Sequence, residues 1–300
     1  MEKKVINMQG KPTHLGTLWK TLRKPIRKFN NLNEISAIEL VWPGLKIDLK
    51  HLKEFISTSI PENGTTHREI SYLPLLYPMV YVYPFNLRIM SLSEISASMM
   101  LKMVTIRNQI AYLRPIHTES VLDLSAKLSE CRKTKKGLEI DVVLELSTMG
   151  SPVWKNINTL YFRGISKDPN GLADNFKLCS LDEIQSSSDF YLSAKNRFKF
   201  CKLVGDSNGI HYSRYYAGLM GYERDFAQPY MVMGKILNTL KNGGDLNYST
   251  GELSLEFRGP VYYCRDVNIK TDHSSKRLRF DVYSEGNARP SILGYWKNRP

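Results

Sequence analysis

Asp206 and His211 stand five residues apart in the run Val204-Gly205-Asp206-Ser207-Asn208-Gly209-Ile210-His211, a carboxylate and an imidazole in a segment built to turn sharply. Gly205 and Gly209 free the backbone, Asp206 and Asn208 suit turns and local hydrogen bonds, and Ile210 is an apolar anchor that can aim His211 back toward Asp206. A carboxylate and an imidazole that converge can share one water and move its protons, so the loop reads as a candidate acid/base site. The plainer reading is that Asp206 and Asn208 only satisfy turn amides and that His211 is a packing or surface histidine.

The elements that would position this loop are legible around it. Tyr212, Arg214, Tyr215 and Tyr216 follow on a short helix, where Arg214 is either solvated or set to meet a phosphate. Pro229 to Leu240 carries Met233, Ile236, Leu237 and Leu240 at helical spacing, and Pro229 suits the first turn of a helix. Leu253–Val261, Val267–Lys270, Leu278–Tyr283 and Ser291–Trp296 read as strands, with a polar turn at Asp272 to Lys276. The same order of features runs through Ile106–Ile116, the alternation from Val121 to Ala126, a charged turn at Arg132 to Gly137, Leu138–Leu146 and Asn156–Phe162. Pro115 and Pro260 mark matching points about one small domain apart, which implies an internal duplication; two unrelated antiparallel meanders are the plainer alternative.

Further upstream lie Trp42 to Asp48, a helix-like stretch through Leu52 and Phe55, a break at Pro61-Glu62-Asn63-Gly64, and an apolar, proline-punctuated segment Leu73 to Pro78 leading into Phe85 to Met90. The division expected is an N-terminal lead-in and non-catalytic half over 1–170 and a catalytic half over 171–300.

Composition bounds the reading. With 42% hydrophobic residues the chain can bury a core, and no run reaches the roughly 18 apolar residues that span a bilayer. No apolar signal core follows Met1-Glu2-Lys3-Lys4, so a cytoplasmic location is expected. Cys131, Cys179, Cys201 and Cys264 are scattered, suggesting neither a zinc site nor a disulfide framework. His14, His51, His67, His117 and His273 lack partners at recognisable spacing and read as structural or exposed. The net charge of +13 points to an anionic partner: nucleic acid, a membrane surface, or a phosphate-bearing carrier. Part of it lies between Trp19 and Phe29, a basic face that Pro25 interrupts. No zinc-finger or RNP-type signature supports nucleic-acid binding, and no phosphate loop or Gly-x-Ser-x-Gly elbow points to a nucleotide or serine hydrolase.

The eight-residue run resembles the Gly-Asp-x-Asn-Pro-aliphatic-His signature of MaoC-like, hydratase-2-type enoyl-thioester hydratases and 3-hydroxyacyl-thioester dehydratases. Ala217, Gly221-Tyr222, Arg224 and Ala227 fall where that family carries Ala, Gly-Phe, Arg and Ala. Leu73 to Pro78 and Val104-Thr105-Ile106-Arg107-Asn108 look like the N-terminal half of its double-hotdog members, without an Asp/His loop. The resemblance implies an α+β double hotdog, two antiparallel sheets each wrapped around a central helix. It also implies Asp206 and His211 as the residues holding the catalytic water, with Asn208 and Gly205 shaping the loop. The substrate would be a thioester of CoA or acyl carrier protein, with no metal or redox cofactor; a homo-oligomer is compatible with the resemblance.

Two departures stand out. Gly209 replaces the family's proline, which would loosen the loop by up to about 1 kcal/mol. The family's Ala-His-Gly-Met reads Ala227-Gln228-Pro229-Tyr230, so Pro229 has no amide hydrogen where the family's glycine stabilises an oxyanion, and the Tyr230 N–H or the Gln228 side chain would have to serve. Losing such a donor costs about 2.7 to 4 kcal/mol of barrier. The expected function is hydration of trans-2-enoyl thioesters, or dehydration of (R)-3-hydroxyacyl thioesters, in fatty-acid or related lipid metabolism. A non-catalytic acyl-thioester-binding hotdog subunit is the alternative.

Overall fold

A computed structural model describes residues 4–13, 17, 38–59, 70–93, 95, 99–100, 103–164, 168, 170–171, 178–181, 183–243, 250–274 and 277–299. The basic stretch from Trp19 to Phe29, the break at Pro61 to Gly64, and His14 and His67 lie outside the described residues. Along the chain run β1 (Lys4–Asn7), β2 (Ile38–Leu45), α1 (Leu49–Ser59), α2 (Met79–Leu92), β3 (Met103–Tyr112), β4 (Leu122–Lys133), β5 (Gly137–Thr148) and β6 (Ser151–Arg163). They are followed by β7 (Ser186–Leu192), α3 (Arg197–Val204), α4 (Arg214–Leu219), α5 (Pro229–Asn242), β8 (Gly251–Phe257), β9 (Arg265–Ser274), β10 (Arg277–Ser284) and β11 (Ile292–Asn298).

Two compact units result. The first comprises Met1–Ile47, Val80–Arg114 and Glu119–Lys177; the second takes Leu178–Pro300 together with Asp48–Met79 and Pro115–Thr118. The second unit is therefore assembled from three stretches of the chain.

In the first unit the strand order is β1-β2-β4-β5-β6-β3. Its ladders are antiparallel except at the edge, where β1 lies parallel to β2 with Lys4 opposite Ile38. This corrects the expectation of a wholly antiparallel sheet: a parallel pair needs a long connection, and Asn7 and Ile38 are far enough apart in the sequence to allow one. Leu122, Leu124, Ala126 and Leu128 alternate inward along β4. On β5 the opposite face buries Glu139 and Asp141, which are compensated by Arg107 and Arg132; the Arg132 fork grips Asp141 at 2.7 and 2.8 Å. Helix α2 contains Pro84, which withholds one amide donor, yet Val80, Val82, Phe85 and Ile89 are all buried and Trp42 stacks on Phe85 at 6.5 Å. Tertiary packing thus sustains a helix that local propensity argues against.

In the second unit the order is β8-β11-β10-β9-β7, all antiparallel. Matching β8 to β3, β9 to β4, β10 to β5, β11 to β6 and β7 to β2 reproduces the connectivity of the first unit, so the duplication read from the sequence is present as a repeated topology. Helix α5 begins at Pro229 as expected and is buried almost all round, from Tyr230 to Leu240. Its Gly234 permits the close passage of α1, since a Cβ there would stand 2.8 Å from the Ser59 carbonyl oxygen. Phe55 of α1 meets Phe200 of α3 at 5.7 Å. His51 joins the same helices: its Nε2 lies 3.0 Å from the Leu203 carbonyl and its Nδ1 3.2 Å from the Tyr77 hydroxyl. A carbonyl only accepts, so Nε2 carries the hydrogen and the Tyr77 hydroxyl donates to Nδ1. No helix among the described residues is long and apolar enough to cross a membrane.

Candidate active site

Helix α3 ends at Gly205, whose φ of 72° is the left-handed conformation that stops a helix, and the Asp206 N–H returns to the Cys201 carbonyl at 2.8 Å. Asp206 is thereby fixed at the mouth of the loop, 5% exposed. Its Oδ1 accepts the Asn208 N–H at 2.9 Å, and Asn208 Oδ1 accepts the Ile210 N–H at 3.3 Å, capping the 3-10 turn Gly209–His211. The turn chemistry thus occupies Oδ1 and leaves Oδ2 for other work.

Oδ2 lies 3.5 Å from His211 Nε2, and His211 is equally buried. The other ring nitrogen, Nδ1, is 3.1 Å from the Phe226 carbonyl oxygen. That carbonyl can only accept, so Nδ1 bears the hydrogen, and whenever the ring is neutral the lone pair of Nε2 is turned toward Asp206. The Phe226 ring meets the imidazole edge-on at 5.1 Å, and the Phe226 N–H donates to the Ile210 carbonyl at 3.2 Å. With the imidazole neutral, Oδ2 and Nε2 are two acceptors facing one another at a separation that a shared donor would bridge.

Gln228 completes the cluster. Its Oε1 accepts the Tyr230 N–H at 2.7 Å, capping α5, while its Nε2 donates to Asp206 Oδ2 at 3.4 Å. Of the two oxyanion candidates from the sequence, Gln228 contacts Asp206, and the Tyr230 amide is engaged by the Gln228 side chain. The Tyr230 phenol is buried, and burial followed by the Asp206 charge raises its pKa, which keeps it neutral. Cys201 is affected in the same way by burial and by Asp206.

Gly209 has a packing role that spacing did not disclose. A Cβ there would stand 2.8 Å from Cδ1 of Tyr216, so the ring of α4 closes over a position where the family signature has proline. Arg214 is exposed at the start of α4 and takes no part in the Asp206–His211 cluster.

Two supporting residues escaped sequence reasoning. Asp225, 2% exposed, receives Arg197 Nη1 at 2.8 Å and has Arg224 Nε at 3.9 Å. The Arg197 guanidinium also lies 5.9 Å from the Tyr263 ring centroid. This ion pair ties the start of α3 to the residue preceding Phe226, whose carbonyl orients His211. An aspartate and an arginine 28 positions apart carry no local signal of pairing.

No family model matches the sequence, and no curated protein matches it. Solved structures do. HtdX of Mycobacterium tuberculosis superposes with a TM-score of 0.70 at 15% identity, covering 87% of this chain and 100% of that one. A MaoC-like dehydratase from Phytophthora capsici gives 0.71 at 16% identity, covering 90% and 99%. A conserved Mycobacterium tuberculosis protein described as having a double hotdog fold gives 0.54 at 10%, covering 86% and 94%. At these identities the likeness is one of fold: the chain has the double-hotdog fold shared with MaoC-like dehydratases.

Proposed function

We propose that the protein is a hydro-lyase of acyl thioesters, adding water to trans-2-enoyl thioesters or removing it from (R)-3-hydroxyacyl thioesters. The fold places it among proteins that include MaoC-like dehydratases, and within that fold each sheet would curl about its long helix, α2 in one unit and α5 in the other. The observation that carries the reading is the 3.5 Å approach of Asp206 Oδ2 and His211 Nε2, both acceptors, in a buried loop.

A water donating to both atoms would have its oxygen lone pairs directed at the β-carbon of the enoyl group. As the C–O bond forms, the pair takes up the water proton and electron density moves to the thioester oxygen. The proton then passes to the α-carbon, so that one molecule of water is added and nothing else is consumed. The second hydrogen of Gln228 Nε2 is the donor left for the developing oxyanion, since Pro229 has none and the Tyr230 N–H is taken by Gln228 Oε1. The carrier is CoA or an acyl carrier protein.

The capped Tyr230 amide and the proline at 229 favour one other reading, a non-catalytic thioester-binding subunit. Loss of the enoyl absorbance of crotonyl-CoA or a crotonyl carrier protein, measured for the wild type beside Asp206→Asn and His211→Ala, separates the two. The hydratase reading expects turnover that falls about 10²- to 10⁴-fold in each variant. Binding of the thioester without turnover by the wild type would establish the subunit reading instead.

A further inference from the structure

Helices α3 and α4 flank the catalytic loop in sequence, and both leave large apolar side chains in solvent. Phe198 is 64% exposed, Tyr215 79%, Leu219 65% and Met220 38%. Lys195, Lys199, Lys202 and Arg214 are exposed on the same two segments. From Lys195 to Met220 the sole acidic residue is Asp206, which is buried, so the solvent-facing charge of this stretch is wholly positive. Apolar side chains gathered among charges of one sign mark an interaction surface, and here its partner must be acidic.

We propose that this face docks a small acidic carrier protein bearing the acyl thioester on its phosphopantetheine arm, which makes a carrier-bound acyl chain the preferred substrate over an acyl-CoA. The inference rests on the hydration reading of the Asp206–His211 site. The phosphates of CoA take cations and its one adenine covers a single ring, which leaves the rest of Phe198, Tyr215, Leu219 and Met220 in solvent; an acidic protein surface satisfies both the charge and the apolar area. A second copy of the chain is a poor occupant, because it would set these cations against their own counterparts on a protein of net charge +13. The patch also adjoins the chemistry. Asp206 follows directly on the cap of α3, and the Phe198 ring meets the Tyr212 ring at 5.4 Å. The Tyr212 hydroxyl in turn donates to the Ser207 carbonyl at 2.7 Å.

The test compares a crotonyl group on a type II acyl carrier protein with the same group on CoA, and titrates the protein with unacylated holo carrier protein. Expected are carrier binding that weakens as salt rises, and a kcat/KM at least about tenfold higher on the carrier protein than on CoA. The double substitution Tyr215→Ser with Leu219→Ser lowers the carrier-protein value about tenfold and leaves the CoA value within about twofold. Equal kcat/KM on both carriers, equal loss on both, a concentration-dependent dimer that the double substitution abolishes, or binding to anionic lipid vesicles in place of the holo carrier overturns the proposal. If neither thioester is hydrated, the hydratase reading falls, and the holo-carrier titration still decides the docking surface.

Discussion

Gln228 holds the Asp206 carboxylate with its amide nitrogen while its oxygen caps the helix that begins one residue later. One side chain therefore couples the N-terminus of α5 to the candidate acid/base pair. Replacement by alanine removes the cap and a hydrogen bond to a buried carboxylate together. Gln228→Ala is expected to lower stability by about 1 to 3 kcal/mol, read by denaturant unfolding, and hydration by about tenfold or more. Retained activity with lost stability would leave Gln228 a purely structural residue.

The Gly209–Tyr216 contact predicts non-additive substitutions. Gly209→Ala drives a methyl group into the Tyr216 ring and should cost about 1 to 3 kcal/mol. Gly209→Ala combined with Tyr216→Ala should be less destabilised than the sum of the two single variants, by about 1 kcal/mol in a double-mutant cycle. Simple additivity would place the ring away from residue 209.

The Arg197–Asp225 pair is asymmetric, because the Asp225 side chain is 3% exposed and that of Arg197 37%. Arg197→Met strands a buried carboxylate with Arg224 alone at 3.9 Å and should cost about 3 kcal/mol. Asp225→Asn leaves an arginine that water can reach and should cost about 1 kcal/mol. Chemical denaturation of both variants checks the order, and its reversal would contradict the burial.

Thiol reactivity should follow burial. Burial, then the Asp206 charge, raises the pKa of Cys201, and burial pushes Cys131 up to about 12. A raised thiol pKa keeps the unreactive protonated form from neutral pH upward until that pKa is reached. Alkylation of the native protein at pH 8, read by mass spectrometry, should label the exposed Cys179 and Cys264 and spare Cys201 and Cys131.

The parts of the protein that local pattern encodes were open to reading. Period-two alternation located β4 and β5, strand-like runs located β10 and β11, the spacing from Met233 to Leu240 located α5, and paired glycines with Asx residues located the loop at 205–211. Helix α3 was not legible, because its eight residues mix Arg197, Lys199 and Lys202 with side chains buried against a helix distant in sequence. Helix α2 was obscured by Pro84, and the parallel β1–β2 edge by the distance between its strands.

Sequence alone singled out residues whose types suit acid/base chemistry and pointed to a repeated unit, because residue type, turn propensity and periodicity are local properties. Only the tertiary structure decided that Oδ1 of Asp206 is spent on the turn while Oδ2 faces His211, that the Phe226 carbonyl fixes the imidazole tautomer, and that Gln228 reaches back from α5. Those facts depend on where segments far apart in the chain meet, and hydrogen-bond direction is set by that meeting rather than by spacing along the backbone.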